Sequence, residues 1–340
     1  MKSTSLSTLS EKTSVNSLYY YQFRRYYSFG AEPFVMIISA SRRSDIPAFY
    51  GEWLVNRLKA GFVLVRNPMQ PKQVSRIPLS PQGVDALVFW TKNPGKILPL
   101  LPEIDALGYS YYFLFTITPY DAALEPGAGD KGAIVDVFKR LSRLIGSEKV
   151  VWRYDPVILT DLYTPDWHAS VFRLLAEKLS GYTERCIISF LDDYRKVQIR
   201  MRHIDYVLPD TELMADLAKK LADAAGLHGI ALSTCSHEID LSHYGIMHSR
   251  CIDGDLIGRI SGRPATVAKK DKRQRKACGC IESRDIGSYN TCTHGCLYCY
   301  AVSSQAKACV ALQNFDPDSP LLCDVLKGDE TITTVQIKRH

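Results

Sequence analysis

A chain of 340 residues with 46% hydrophobic side chains can bury a large core, as one big domain or two small ones. Its formal charge of +6 is mildly basic, which permits an anionic substrate or nucleic acid and demands neither. No apolar run approaches the roughly 18 residues of a membrane span, so no membrane partner is expected. Ten cysteines without an export signal fit a reducing cytoplasm, where thiols stay free to bind metal.

Residues 1–35 begin polar and Ser/Thr-rich and continue without amphipathic period, so they read as a disordered tail or as a start site misplaced ahead of Met36. From Met36 onward, apolar runs with the look of strands recur at 36–40, 62–65, 86–90, 111–117, 150–154, 186–191 and 229–233. An eighth candidate, 285–289, has few apolar residues. Helical patterns lie between them at 49–59, 99–107, 132–144, 167–179 and 211–225, the last with Asp210 as N-cap and Gly226 just past its end. Buried strands alternating with amphipathic helices predict an α/β fold with a parallel sheet, and eight such units predict a closed or nearly closed (β/α) barrel over residues 36–323. Residues 324–340 read as a C-terminal tail.

In such barrels the active site lies at the C-terminal ends of the strands. Here those ends carry Arg42 and Arg43, Lys92, Thr116, Arg153 with Asp155, Asp192, and Cys235. Arg42, Arg43, Lys92 and Arg153 are candidates for a carboxylate or another anion, with Asp155 ordering an arginine or sugar hydroxyls. The Lys269–Lys276 run, with Arg263 nearby, is either a solvated loop or a phosphate-backbone contact; it lacks interleaved aromatics for base stacking.

Cysteines concentrate in the last third. Cys292, Cys296 and Cys299 are spaced C-x3-C-x2-C with Tyr298 before the third. Short loops of this kind bring thiolates to the irons of a 4Fe–4S cluster, and three ligands leave one iron open to a small molecule. The C-x3-C-x-aromatic-C pattern is similar to the radical S-adenosylmethionine signature, in which that iron chelates S-adenosyl-L-methionine. A zinc site drawn from the five cysteines between 278 and 299 is the rival, although C-x-C is an unusual knuckle. Cys235, Cys251, Cys278 and Cys280 form a possible second site, for another iron–sulfur cluster or for zinc. The three-cysteine loop follows the last strand rather than the first, which predicts a circularly permuted barrel whose final unit lies beside residues 36–40.

ISASRRSDIPAFY (38–50), VFWTKNP (88–94), VWRYDP (151–156), CSHEIDL with CID (235–253) and CGCIESRDIGSYNTCTHGCLYCYA (278–301) resemble a bacterial family designated only as domain of unknown function eighteen forty-eight. The resemblance covers about residues 36–323 and extends distantly to spore photoproduct lyase. It implies a 4Fe–4S cluster on Cys292, Cys296 and Cys299, with Tyr298 beside the adenine of S-adenosylmethionine. The expected activity is generation of a 5′-deoxyadenosyl radical that takes hydrogen from an unidentified substrate, with electrons from a flavodoxin or ferredoxin. A zinc-bearing nucleic-acid-binding protein and an iron–sulfur electron carrier are the alternative readings.

Overall fold

Eight parallel strands make one sheet in the computed structural model of the chain, which describes residues 36–236, 238–262 and 269–336. Numbered along the chain, its members are β1 (Ile37–Ala40), β4 (Ala86–Thr91), β5 (Tyr111–Thr116), β6 (Val150–Val157), β7 (Arg185–Phe190), β8 (Ala231–Thr234), β9 (Met247–His248) and β10 (Arg284–Asp285). Their spatial order is β10-β1-β4-β5-β6-β7-β8-β9. The ladder therefore has two edges, and among the described residues no pairing joins β10 to β9. The fold is α/β around an eight-stranded parallel sheet. The N-terminal 1–35 stretch lies outside the described residues.

Central strands are buried on both faces, as parallel sheets require. One set of side chains, including Leu87, Phe89, Phe113, Trp152 and Ile188, packs in the main core with the helices Gly51–Ala60, Lys131–Ile145, Pro165–Leu179 and Thr211–Gly226. The alternating set, including Val88, Tyr112, Leu114, Val151 and Ile187, packs instead on residues 251–260 and 278–281 of the β9–β10 connection. That connection carries the helix Gly254–Ser261, a short helix whose Leu256, Ile257 and Ile260 face the sheet. Helix ends follow local rules: Asp210 accepts from Leu213 N at 2.9 Å, though the helix runs one residue further than expected, through Gly226.

Four sequence expectations need correction. The run near residue 62 does form β2 (Phe62–Arg66), but β2 pairs antiparallel with β3 (Gln73–Pro78) in a separate three-stranded sheet. The eighth place in the main sheet falls to the two-residue β9. Residues 324–336 are no free tail, since β11 (Thr331–Thr334) pairs parallel with β3. The helix expected over 49–59 is two, Ile46–Phe49 and Gly51–Ala60, divided at Tyr50. Tyr50 is fully buried, with its hydroxyl donating to the Thr291 carbonyl.

β10 does lie beside β1, with Ile38 opposite Arg284 and Ser39 opposite Asp285. Its anchor is polar. Asp285 accepts from Ser39 Oγ at 2.9 Å, Ser41 Oγ at 2.9 Å and Arg42 N at 2.8 Å. Gly287 approaches too closely for any side chain, since a Cβ there would stand 1.9 Å from Ser41 Oγ.

Candidate functional site

The loop that leaves β10 carries Cys292, Cys296 and Cys299 and is fastened to the ends of several strands. His294 places Nε2 2.8 Å from Asp45 Oδ2 and Nδ1 3.1 Å from the Gly127 carbonyl. Gly127 N donates to the His294 carbonyl at 2.8 Å, and Leu297 N to that of Leu124 at 3.0 Å. Arg200, from the helix Arg195–Met201, donates to the carbonyls of Gly295 and Val302. Thr291 Oγ1 bonds Ser44 Oγ at 2.8 Å. Backbone carbonyls that a helix or strand would satisfy are here taken up by side chains, so an irregular loop is held in one shape.

Tyr298 is tied to the most buried carboxylate of the site. Glu125, 2% exposed, accepts from the Tyr298 hydroxyl, from Lys92 Nζ at 2.8 Å and from Lys131 Nζ at 2.5 Å, and also from Thr118 Oγ1 at 2.5 Å. Burial alone would raise the Glu125 pKa, but the two ammonium groups outweigh it and hold the carboxyl down at about 2.

The loop faces a cavity of about 890 Å³. Its wall includes residues at or just past the C-terminal ends of β1, β4, β6, β7, β8 and β10, so it opens at that end of the parallel strands. All three cysteines of the loop line it. Burial pushes the Cys292 thiol up, with the neighbouring Asp45, Cys299 and Cys296 adding to the effect. Burial likewise raises Cys296 to about 12, against the pull of Lys92. Cys299 adds to the shift of both Cys292 and Cys296, yet no hydrogen bond joins any two of the three.

Arg42, Arg43, Lys92, Arg153 and Asp155 all line the same cavity. Trp90 lies between two of them, with the Arg42 guanidinium 5.0 Å and that of Arg153 4.9 Å from its ring. Asp155 pairs with Arg153 and accepts from Ser189 Oγ. Arg43 stands 3.9 Å from Asp285. Lys92 is engaged with Glu125 and Thr118. Eight lysine or arginine residues and five aspartates line the wall, and carboxylates behind it pair with four of the cations: Glu125 with Lys92, Asp324 and Glu330 with Arg66, and Glu282 with Arg273 and Arg284.

Cys235, Cys251, Cys278 and Cys280 meet in the same wall, all buried. Cys235 Sγ is 3.5 Å from Cys251 Sγ, and Cys280 interacts with both Cys251 and Cys278. Among the described residues, no three His, Cys, Asp or Glu side chains already surround a point where a metal ion would sit. The basic run folds back on the chain, with Arg275 paired to Asp192 and Arg273 to Asp271 and Glu282. Arg263 lies outside the described residues.

A match to the family described as a domain of unknown function (DUF1848) spans residues 37–301. The chain belongs to that family. Its span takes in every strand of the main sheet and all seven cysteines of the cavity, and it ends two residues past Cys299. β11 lies beyond it. Among curated proteins, none matches the chain. No helix among the described residues is long and apolar enough to cross a membrane.

Sequence reading missed Glu125, His294, Asp285 and Arg200 as members of the site. Each acts by pairing with a residue distant in the chain, and a lone polar residue carries no periodic signal. Gly127 was missed too, although its role is geometric. A Cβ there would stand 2.7 Å from the His294 carbonyl oxygen and 3.0 Å from its Cα, both backbone atoms that cannot swing aside. Gly127→Ala is expected to destabilise the chain by about 1–3 kcal/mol through overpacking. Urea denaturation checks this against Gly108→Ala, where a Cβ meets nothing within 4 Å and only the positive φ of +85° is strained.

Proposed function

We propose that the protein is an iron–sulfur enzyme of the radical S-adenosylmethionine type, built on a barrel-like sheet whose order is circularly permuted. One observation carries this reading: the three-cysteine loop leaves a strand that pairs parallel with β1, and all three thiols face the cavity at the strands' C-terminal ends. Cys292, Cys296 and Cys299 would hold the cluster. Three thiols that share one wall without hydrogen-bonding one another suit a polynuclear core, whose irons each take a separate thiolate.

When bound, a 4Fe–4S cluster with S-adenosylmethionine supplies one-electron cleavage of the sulfonium and a 5′-deoxyadenosyl radical for hydrogen abstraction. The chain's own residues bind and orient. Glu125 fixes Tyr298 through its hydroxyl, so the ring can form one wall of an adenine site but its hydroxyl is already committed. Arg42 and Arg43, at the end of β1, would take the carboxylate of S-adenosylmethionine or an anionic substrate, while Arg153 and Asp155 order each other against Trp90. Reducing equivalents would come from a protein donor such as a flavodoxin or ferredoxin.

The decisive experiment is anaerobic reconstitution with iron and sulfide, followed by dithionite and S-adenosylmethionine, with 5′-deoxyadenosine as the readout. Product in the wild type that disappears in Cys292→Ala is the expected result. Iron without product across several reductants would favour the electron carrier. Zinc in place of iron at this loop would overturn the reading.

A further inference from the structure

We propose that Cys235, Cys251, Cys278 and Cys280 form a second, mononuclear metal site that takes one zinc ion as a closed four-thiolate complex. The four come from three separate places: the end of β8, the loop after β9, and the two sides of Gly279 ahead of β10. Folding nonetheless buries them together, at 8%, 1%, 6% and 2% exposure.

Spacing decides between the candidate ligands. With a zinc–sulfur bond of about 2.3 Å, the sulfurs of a tetrahedral complex stand about 3.8 Å apart. The 3.5 Å between Cys235 Sγ and Cys251 Sγ is close to that edge. It is far from the roughly 2.05 Å of a disulfide. Cys280 continues the series through its interactions with Cys251 and Cys278. A cubane cluster holds its thiolates on different irons and so further apart.

The surroundings suit a structural zinc ion. Apolar Ile252, Leu256 and Ile281 pack with the thiols, and four thiolates would fill every position of a tetrahedral ion, leaving none open for a substrate. Ile252 N donates to Cys280 Sγ at 3.3 Å, the type of outer-shell bond that orients a thiolate ligand. Loading would exchange the four thiol protons for one divalent ion, giving a site of net charge about −2. Two guanidinium groups are placed to offset that charge, since Arg42 lies against Cys280 and Cys251 and Arg153 lies near Cys235 and Cys251. Both are short of partners: Arg42 Nη2 and Arg153 Nε are buried without a hydrogen bond. A bound ion would pin residues 251–260 and 278–281 onto the face of the sheet they cover, and so support the wall of the cavity.

Metal analysis of the full chain, purified anaerobically and reconstituted with iron and sulfide, tests this directly. About one zinc per chain is expected, retained in Cys296→Ala and reduced roughly tenfold or more in Cys251→Ser and Cys278→Ser. Cobalt(II) added to the zinc-stripped Cys296→Ala chain provides a readout that does not depend on those serine variants folding. It should give the visible bands of tetrahedral cobalt thiolate. A zinc-free wild type, no cobalt bands, or iron that doubles in the wild type and halves in Cys251→Ser would each overturn the proposal, the last by assigning an iron–sulfur cluster to the site.

Discussion

Cys296→Ala is expected to leave the reconstituted protein without iron–sulfur absorption and without iron above background. Of the three loop thiols, Cys296 is the most deeply placed, at 7% exposure, and it lies near Lys92 and Glu125 where the loop meets the strand ends. No spare cysteine is placed to replace it. Cys235, Cys251, Cys278 and Cys280 are engaged with one another, and Cys309 is exposed on the helix Gln305–Gln313. Cys309→Ala is therefore the control, with iron and stability unchanged. Cys296→Ser, closer in shape, separates loss of a ligand from loss of packing and should also lose the cluster. Full iron in both Cys296 variants, with circular dichroism unchanged, would refute the assignment of the loop.

Glu125→Ala is expected to destabilise the chain by about 3–5 kcal/mol, because it removes the carboxylate that pairs with Lys92 in a largely buried place and leaves only the more distant Asp45. The same change frees Tyr298 and Lys131, so the cluster loop should loosen along with the fold. Acidity tests the same interaction without removing atoms. The folded-state pKa of Glu125, about 2, lies below its ordinary value of 4.5. Its contribution is then fully present above about pH 4.5 and is lost as pH falls toward 2, a change of about 3 kcal/mol. Urea denaturation at a series of pH values should show this loss in the wild type, with Glu125→Gln flatter by that amount. Equal slopes in the two proteins would mean that Lys92 and Lys131 do not hold the carboxyl down.

These two sites were legible in the sequence to very different degrees. Cys292, Cys296 and Cys299 are close neighbours in one loop, so their spacing alone singles them out. Glu125 lies in a stretch with no motif, and its importance rests on Lys92 and Tyr298, the latter 173 positions away. The four further cysteines fall between these cases. Their number in the last third of the chain suggested a set, but only the fold shows Cys235 touching Cys251 and Cys280 lying between Cys251 and Cys278.

By itself the sequence determined the alternation of strands and helices, the parallel α/β class and the cysteine loop. Each of these is written in local spacing: apolar runs bury a strand on both faces, amphipathic periods cover it, and close thiols share one loop. Tertiary structure alone decided which strands belong together. β2 has the apolar character of a sheet strand, yet it pairs with β3 because an antiparallel partner is available seven residues further along the chain. β10 has almost no apolar character, yet it joins the main sheet because Asp285 gathers hydrogen bonds from Ser39, Ser41 and Arg42, about 240 positions distant. Apolar burial follows a period that can be read one segment at a time. A buried carboxylate finds its donors wherever the folded chain brings them, and no local pattern records that.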